Sequence, residues 1–337
     1  MKTLPFWIFK EKDDDKAKRE AQEASIAELN SGRLPLGAQH RLKAQAEMGS
    51  KFFSSNLSAK EYLLAREAGY EPIGQVMGSA FMKVGWRNFC RGYFSSTDEI
   101  KPLTAAHRDA RNLAVSRLRQ EAELLGAHGV IGVKVKQSNF RWTEGITEFT
   151  AIGTAVRIPG AASWIKPGTK PFTSTLSGQE FWQLFEAGYW PTALVMGNCS
   201  YYIKGDRSTT QAQLGWFASR NNQELTVFND GFAFARREAN QRLWIDIGLH
   251  GGDGAVDMDV EYKLERIEYE INNIRYIDML VNFSAMGTAV ITRPDGQKRI
   301  SHSPLMFIDL SKRAEKAVDF EDPLEDLSPY DVTELEE

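Results

Sequence analysis

A chain of 337 residues is long enough for two domains of ordinary size, and its 42% hydrophobic and 26% charged residues exclude disorder over the whole length. Two cysteines exclude both a disulfide framework and a zinc site built of cysteine alone. The formal net charge of −4 excludes a generally basic nucleic-acid binder, and no apolar run reaches the ~18 residues a membrane-spanning helix needs.

Met1 to Phe9 holds Phe6, Trp7, Ile8 and Phe9, but Pro5 interrupts the apolar run and the charged run Lys10 to Asp15 follows at once. It reads as the sticky end of a cytoplasmic chain and not as a signal peptide. Residues 11–30 are charged and rich in Ala, with no Gly or Pro, which predicts an exposed helix. Gly32, Pro35 and Gly37 break it, and a second short helix is expected over Ala38 to Met48.

An internal repeat organises the rest. At an offset of 119, Leu57–Gly78 faces Leu176–Gly197 with eleven identities in 22 positions. Ser58 with Glu61, and Ser177 with Glu180, have the spacing of a helix capping box. Gly69 and Gly188 are placed to end a short helix in a left-handed residue, and Pro72 and Pro191 block its continuation. Strands are then expected over Ile73 to Val84 and Thr192 to Lys204. A long amphipathic helix follows in each copy. Its apolar stripe is Ala110, Leu113, Ala114, Leu118, Ala122 and Leu125, ended by Gly126, in the first repeat. In the second it is Phe228, Phe232, Ala235, Ala239, Leu243 and Ile247, ended by Gly248. Two strands close each copy: Gly129 to Lys136 and Thr147 to Ile158, then Gly254 to Tyr262 and Ile277 to Thr292.

The Gly-Thr-Ala-Val runs at Gly153 and Gly287 lie 134 apart, so the second repeat carries about fifteen extra residues, some of them in a final hairpin near Leu264 to Arg275. The expected organisation is a helical segment over 1–56, a domain over 57–158, a Pro-, Gly- and Ser-rich linker over 159–175, a second domain over 176–293, and an extension over 294–337. The fold class is α+β, with two repeated β-α-β-β domains whose sheets are antiparallel.

The stretch ARNLAVSRLRQEAELLGAHGVIGVKV, from Ala110, followed by TEFTAIGTAVR, from Thr147, resembles the YbjQ-like family, whose label is a heavy-metal-binding domain. The match is close over Leu125–Gly132 and Gly153–Val156, and weaker around Gly254 and Gly287 in the second copy. The chain is identified as a tandem duplication of this domain. The resemblance implies a small dodecin-like α+β unit in which a curved antiparallel sheet wraps one helix. It also implies assembly of single-domain relatives into five-membered rings, with no agreed reaction. Family members often carry a Cys in the first strand, whereas this strand reads Gly74-Gln75-Val76-Met77-Gly78. Cys199 lies in the second copy of that strand, offset from the matching Met-Gly.

Candidate chemistry is sparse. No histidine is paired at i,i+4 with another His or with Cys, so no zinc signature exists. Asp257, Asp259 and Glu261 alternate along an expected strand, which puts three carboxylates on one face, with His250 and Asp253 just upstream. Such a row suits a hard divalent cation like Ca²⁺, or simply the solvent side of a half-exposed strand. Lys134 and Lys136 align with Asp259 and Glu261, so repeats from one chain or two are expected to abut with opposite charges in register. Trp86, Arg87 and Phe89 belong to an Arg–aromatic mixture that fits a subunit interface better than a base-stacking surface. There is no nucleophile elbow, kinase set or phosphate loop, so a non-enzymatic role is expected.

The last nineteen residues, Asp319 to Glu337, hold nine acids and no Lys or Arg, which leaves 41 basic against 36 acidic residues elsewhere. They read as a solubility tail, or as a docking peptide for a protein partner through Phe320, Leu324, Leu327, Tyr330 and Leu335. The whole reads as a homo-oligomeric binding or scaffold protein. Either five chains stack two rings or three chains close one ring of six domains. Metal-ion sensing by the acidic strand is the alternative, and nucleic-acid or peptide binding a second.

Overall fold

The computed structural model describes residues 13–47, 54–67, 69–83, 96–139, 146–159, 169–206, 224–271 and 274–293. Trp86, Arg87, Phe89 and Cys90, the aromatic N-terminus and the acidic tail lie outside the described residues.

Helices α1 (Asp13–Asn30) and α2 (Leu36–Glu47) lead the chain, close to their expected bounds. Gly32, at φ 77°, supplies the left-handed residue of the turn between them. Leu34 and Leu42 drop from this hairpin into the core of the first repeat. That repeat contains α3 (Ala59–Glu67), β1 (Glu71–Lys83), a two-residue strand β2 (Asp98–Glu99), α4 (Lys101–Leu124), β3 (Gly129–Asn139) and β4 (Ile146–Arg157). After a second two-residue strand, β5 (Phe172–Thr173), the order recurs. The second repeat has α5 (Gly178–Glu186), β6 (Tyr189–Ile203), α6 (Thr226–Leu249), β7 (Gly254–Ile271) and β8 (Ile274–Thr292).

The local signals act as chemistry requires. Ser58 and Glu61 exchange bonds between side chain and backbone at 2.7 and 3.3 Å, and Ser177 and Glu180 do so at 2.8 and 3.3 Å. Gly69 and Gly188 are left-handed, at φ 81° and 86°. Pro72 and Pro191 sit at matching irregularities of register near the start of β1 and β6, where a missing N–H is tolerated. One boundary differs. Gly248 lies inside α6, and the left-handed residue beyond the helix is Gly251, at φ 67°, as Gly126 is after α4 at φ 68°.

The extra residues of the second repeat divide into two groups. The long helices align at an offset of 125, so six residues enter before α6; the other nine lengthen the β7–β8 hairpin. They do not form a loop. Pairing runs without a break from Asp259↔Met286 to Ile271↔Ile274.

Each sheet packs on its long helix. Ala110, Ala114, Leu118 and Ala122 face β1, β3 and β4, and Ala235, Ala239, Leu243 and Ile247 face β6 and β8. The approach is closest at Gly78 and Gly197. A Cβ at either would overlap a helix carbonyl, that of Ala114 or Ala239. The shared Met-Gly is therefore a packing device that lets a strand lie directly on helix backbone.

The sheet order brings a finding that the linear pattern does not contain. The sheets are β1-β4-β3-β5 and β2-β6-β8-β7. Thus β5, which leads into the second repeat, extends the sheet of the first. Conversely β2, from the first repeat, extends the sheet of the second at Tyr201 and Tyr202. The linker expected to end at Thr175 therefore includes a strand. Two junction cores accompany the exchange. One gathers Tyr70, Ile131, Phe172, Phe181 and Trp190; the other Ile100, Leu103, Tyr202 and Leu280.

Candidate functional site: the junction between the repeats

The junction is built by the same residues that end and begin each repeat. Ser174 donates its N–H to the Val130 carbonyl at 2.9 Å and accepts from Val133 N–H at 2.9 Å, while Leu176 accepts from Gly132 N–H at 2.8 Å. Gly132 is left-handed, at φ 61°, inside a bulge where Ile131 to Lys134 oppose only Thr154 and Ile152. The bulge turns successive N–H groups outward to meet the incoming segment. Thr288, of the second Gly-Thr-Ala-Val run, holds that segment from behind. Thr288 Oγ1 accepts from Thr175 N–H at 2.9 Å and bonds Ser174 Oγ at 3.2 Å.

A charged pair crosses the same junction. Arg111 on α4 is 2% exposed, and its Nη2 lies 3.7 Å from Asp246 Oδ2 on α6. Burial pulls the Arg111 guanidinium down to about 10, against the attraction of Asp246. Its Nε and Nη1 have no hydrogen-bond partner among the described residues. Asp246 also accepts from Met196 N–H at 2.9 Å, as Glu121 accepts from Met77 N–H at 2.8 Å in the first repeat. There the cation is Arg41 of α2, 3.0 Å from Glu121. The leading hairpin thus does for the first repeat what α4 does for the second.

Beside the junction lies an open cleft lined by both repeats. His107, Gln137 and Phe149 come from the first; Asn198, Asp259, Glu261 and Lys263 are among those from the second. Burial, then the Lys263 charge, lowers His107 to about 4, so its ring is neutral near pH 7. Gln137 bridges His107 at 3.4 Å and the Lys263 ammonium at 3.5 Å.

The candidate cation ligands are distributed as follows. Val256 and Asp259 pair with Thr288 and Met286, which lie two apart and share a face, so a bulge at Asp257 breaks the expected alternation. Asp259 and Glu261 share a face along the cleft and Asp257 is out of phase with them. Asp253 accepts from Thr292 N–H at 3.2 Å, and His250 lies 3.7 Å from Asp246. Among the described residues no three His, Cys, Asp or Glu side chains are gathered as a metal would require. Cys199 is fully buried, and burial, then Glu99, pushes its thiol up to about 12. Lys134 and Lys136 are exposed on β3, which pairs with β4 and β5 and not with β7 in the same chain. No helix among the described residues is long and apolar enough to cross a membrane.

Comparison with known proteins follows the same division. A YbjQ family profile, described as "Putative heavy-metal-binding", matches residues 71–159, the first repeat from β1 to just past β4. The "Encapsulin nanocompartment protein Rv1762c" of Mycobacterium tuberculosis is 33% identical over 252 residues, which cover 73% of this chain and 88% of that protein. The chain belongs to the YbjQ family. Smaller relatives match a single unit. A UPF0145 protein of Helicobacter hepaticus is 37% identical over 92 residues, 26% of this chain and 86% of its own length. One of Halorubrum lacusprofundi is 34% identical over 110 residues, 30% of this chain and 97% of its own. The long match and the single-unit matches together describe a tandem YbjQ protein.

Sequence reasoning missed Arg111, Asp246, His107 and the two exchanged strands. One signal was present. At the second offset, 125, Glu121 aligns with Asp246, a carboxylate repeated at the same place on both long helices.

Proposed function

We propose that this protein is a non-enzymatic, self-assembling scaffold that closes head to tail into a ring. The observation that carries this reading is the junction itself. Each repeat gives a strand to the other, but from different parts: the lead segment β5 of one and the pre-helix segment β2 of the other. A contact of unlike surfaces is heterologous, and repeated it generates a ring or a filament. An even number of repeats must enter a ring made of tandem chains; of four and six, the even numbers on either side of the five-membered rings implied for single-domain relatives, we take six, supplied by three chains. The nanocompartment in the name of the M. tuberculosis relative agrees with a role in assembly. In the cleft, Lys263 of the second repeat reaches Gln137 of the first at 3.5 Å and bridges the two.

Native mass spectrometry of the tag-free protein, before and after chelator, tests the reading. The expected mass is that of three chains, unchanged by chelator. A monomer at micromolar concentration would overturn it. An ion bound one per chain and removed by chelator would instead favour the cation reading at Asp259 and Glu261.

A further inference from the structure

We infer that residues Ser54–Leu57 of one copy add a strand to the outer edge of β7 in a second copy, at Ala255–Met258. This rests on the assembly reading above and names the surfaces that would perform it.

The donor segment is already set for the task. Ser54–Leu57 is the counterpart of Thr173–Leu176, the segment that extends β3 within the chain. The two are held alike. Asn56 N–H donates to Thr154 Oγ1 at 2.9 Å, as Thr175 N–H donates to Thr288 Oγ1 at 2.9 Å. Ser55 Oγ bonds Thr154 at 3.3 Å, as Ser174 Oγ bonds Thr288 at 3.2 Å. Leu57 N–H donates to Ser55 Oγ at 3.0 Å, as Leu176 N–H does to Ser174 Oγ at 3.2 Å. Only the outer partner differs. Thr173 and Ser174 are fully buried against β3, whereas their counterparts Ser54 and Ser55 are exposed and half-buried.

The acceptor edge is prepared in the same way. Strand β7 is the counterpart of β3 and ends its sheet, with β8 as its neighbour in the sheet order. Its bulge falls at the aligned residue. Asp257 has φ 53°, beside 61° at Gly132, and is the one non-glycine residue with positive φ among the described residues. A backbone conformation that is unfavourable outside glycine is kept where it would aim N–H groups at a partner. Burial marks the vacancy. Val133 on the covered strand is 2% exposed, while its counterpart Met258 is 42% exposed and Val260 beyond it 52%. An edge strand offers unpaired N–H and C=O groups, and main-chain pairing with an extended segment is a general way of covering them.

By correspondence, Ser55 N–H would donate to the Ala255 carbonyl, and the Met258 and Asp257 N–H groups to the Ser55 and Leu57 carbonyls. The charge pair would not recur in full, because Arg41 already holds Glu121, the counterpart of Asp246. The junction between chains is therefore carried by strand pairing and apolar contact, and is weaker than the one within the chain.

Engineered cysteines test this. Within the chain Val130 and Thr173 are register partners, so Ala255 and Ser54 of different copies should be. The variant S54C/A255C, oxidised at micromolar concentration, is expected to give a covalent ladder above the single chain on a denaturing gel, removed by reductant. S54C and A255C alone give none. V130C/T173C closes within one chain and serves as the geometric control. A second variant, M258K, is expected to shift the native mass towards single chains while keeping the far-ultraviolet dichroism. Absence of the ladder in a protein that is still oligomeric, together with an unchanged mass for M258K, would overturn the inference and leave the scaffold reading standing. A monomeric wild type would overturn both.

Discussion

Protonation of His107 should destabilise this protein at mildly acidic pH, and the size of the effect follows from its surroundings. The ring lies between β4 and the cleft, 6.0 Å from Phe149, with Gln137 at 3.4 Å and the Lys263 charge nearby. Asp259 and Glu261 line the same cleft. In the folded chain the value is about 4, against 6.5 for an unfolded histidine. The unfolded state therefore binds the proton first. The penalty is negligible above about pH 7.5 and grows as pH falls towards 4. Between pH 7.5 and pH 5 these two values give a loss of about 2 kcal/mol from this residue. Urea unfolding of wild type and H107Q at both pH values, at matched protein concentration, isolates it. Other groups titrate in both proteins and cancel in the difference. Wild type should lose about 2 kcal/mol more than H107Q. Equal losses would show that His107 titrates normally and that the cleft is open to water at that point.

Other outcomes are expected from the packing. G197A forces a Cβ onto the Ala239 carbonyl, so the strand must lift from α6. A loss of at least about 1–3 kcal/mol is expected, seen as a fall of several degrees in thermal midpoint, and an unchanged midpoint would contradict the close approach. D246N leaves the Arg111 guanidinium buried without its counter-charge and should cost about 3 kcal/mol. The double variant R111M/D246N should recover part of that, and simple additivity in thermal unfolding would argue against the pair. S177A removes the side-chain acceptor of the α5 capping box and should cost about 1 kcal/mol by the same assay.

Much of the fold was legible because its signals are local. Capping boxes, left-handed glycines and apolar stripes act within one turn or one strand, and each recurs at a fixed offset, so one copy checks the other. The same locality explains the misread helix end. Gly248 and Gly251 both follow the apolar stripe of α6, and only backbone geometry assigns the left-handed conformation to the second. The expected alternation of three carboxylates is interrupted for a related reason. Alternation is exact only in an unbroken ladder, and the bulge at Asp257 removes one step from β8 but not from β7.

The sequence by itself determined that the chain is two copies of one α+β unit, and the order of the main helices and strands in each. The tertiary structure alone decided how the copies meet. Residues 98–99 and 172–173 are too short to announce themselves as strands, and become so because an open edge elsewhere offers N–H and C=O groups. Arg111 and His107 read as ordinary polar residues of an amphipathic helix until the second repeat covers them. Burial, and with it the displaced ionisation of both, is a property of the packed pair of repeats, set by surfaces that lie more than a hundred residues apart in the chain.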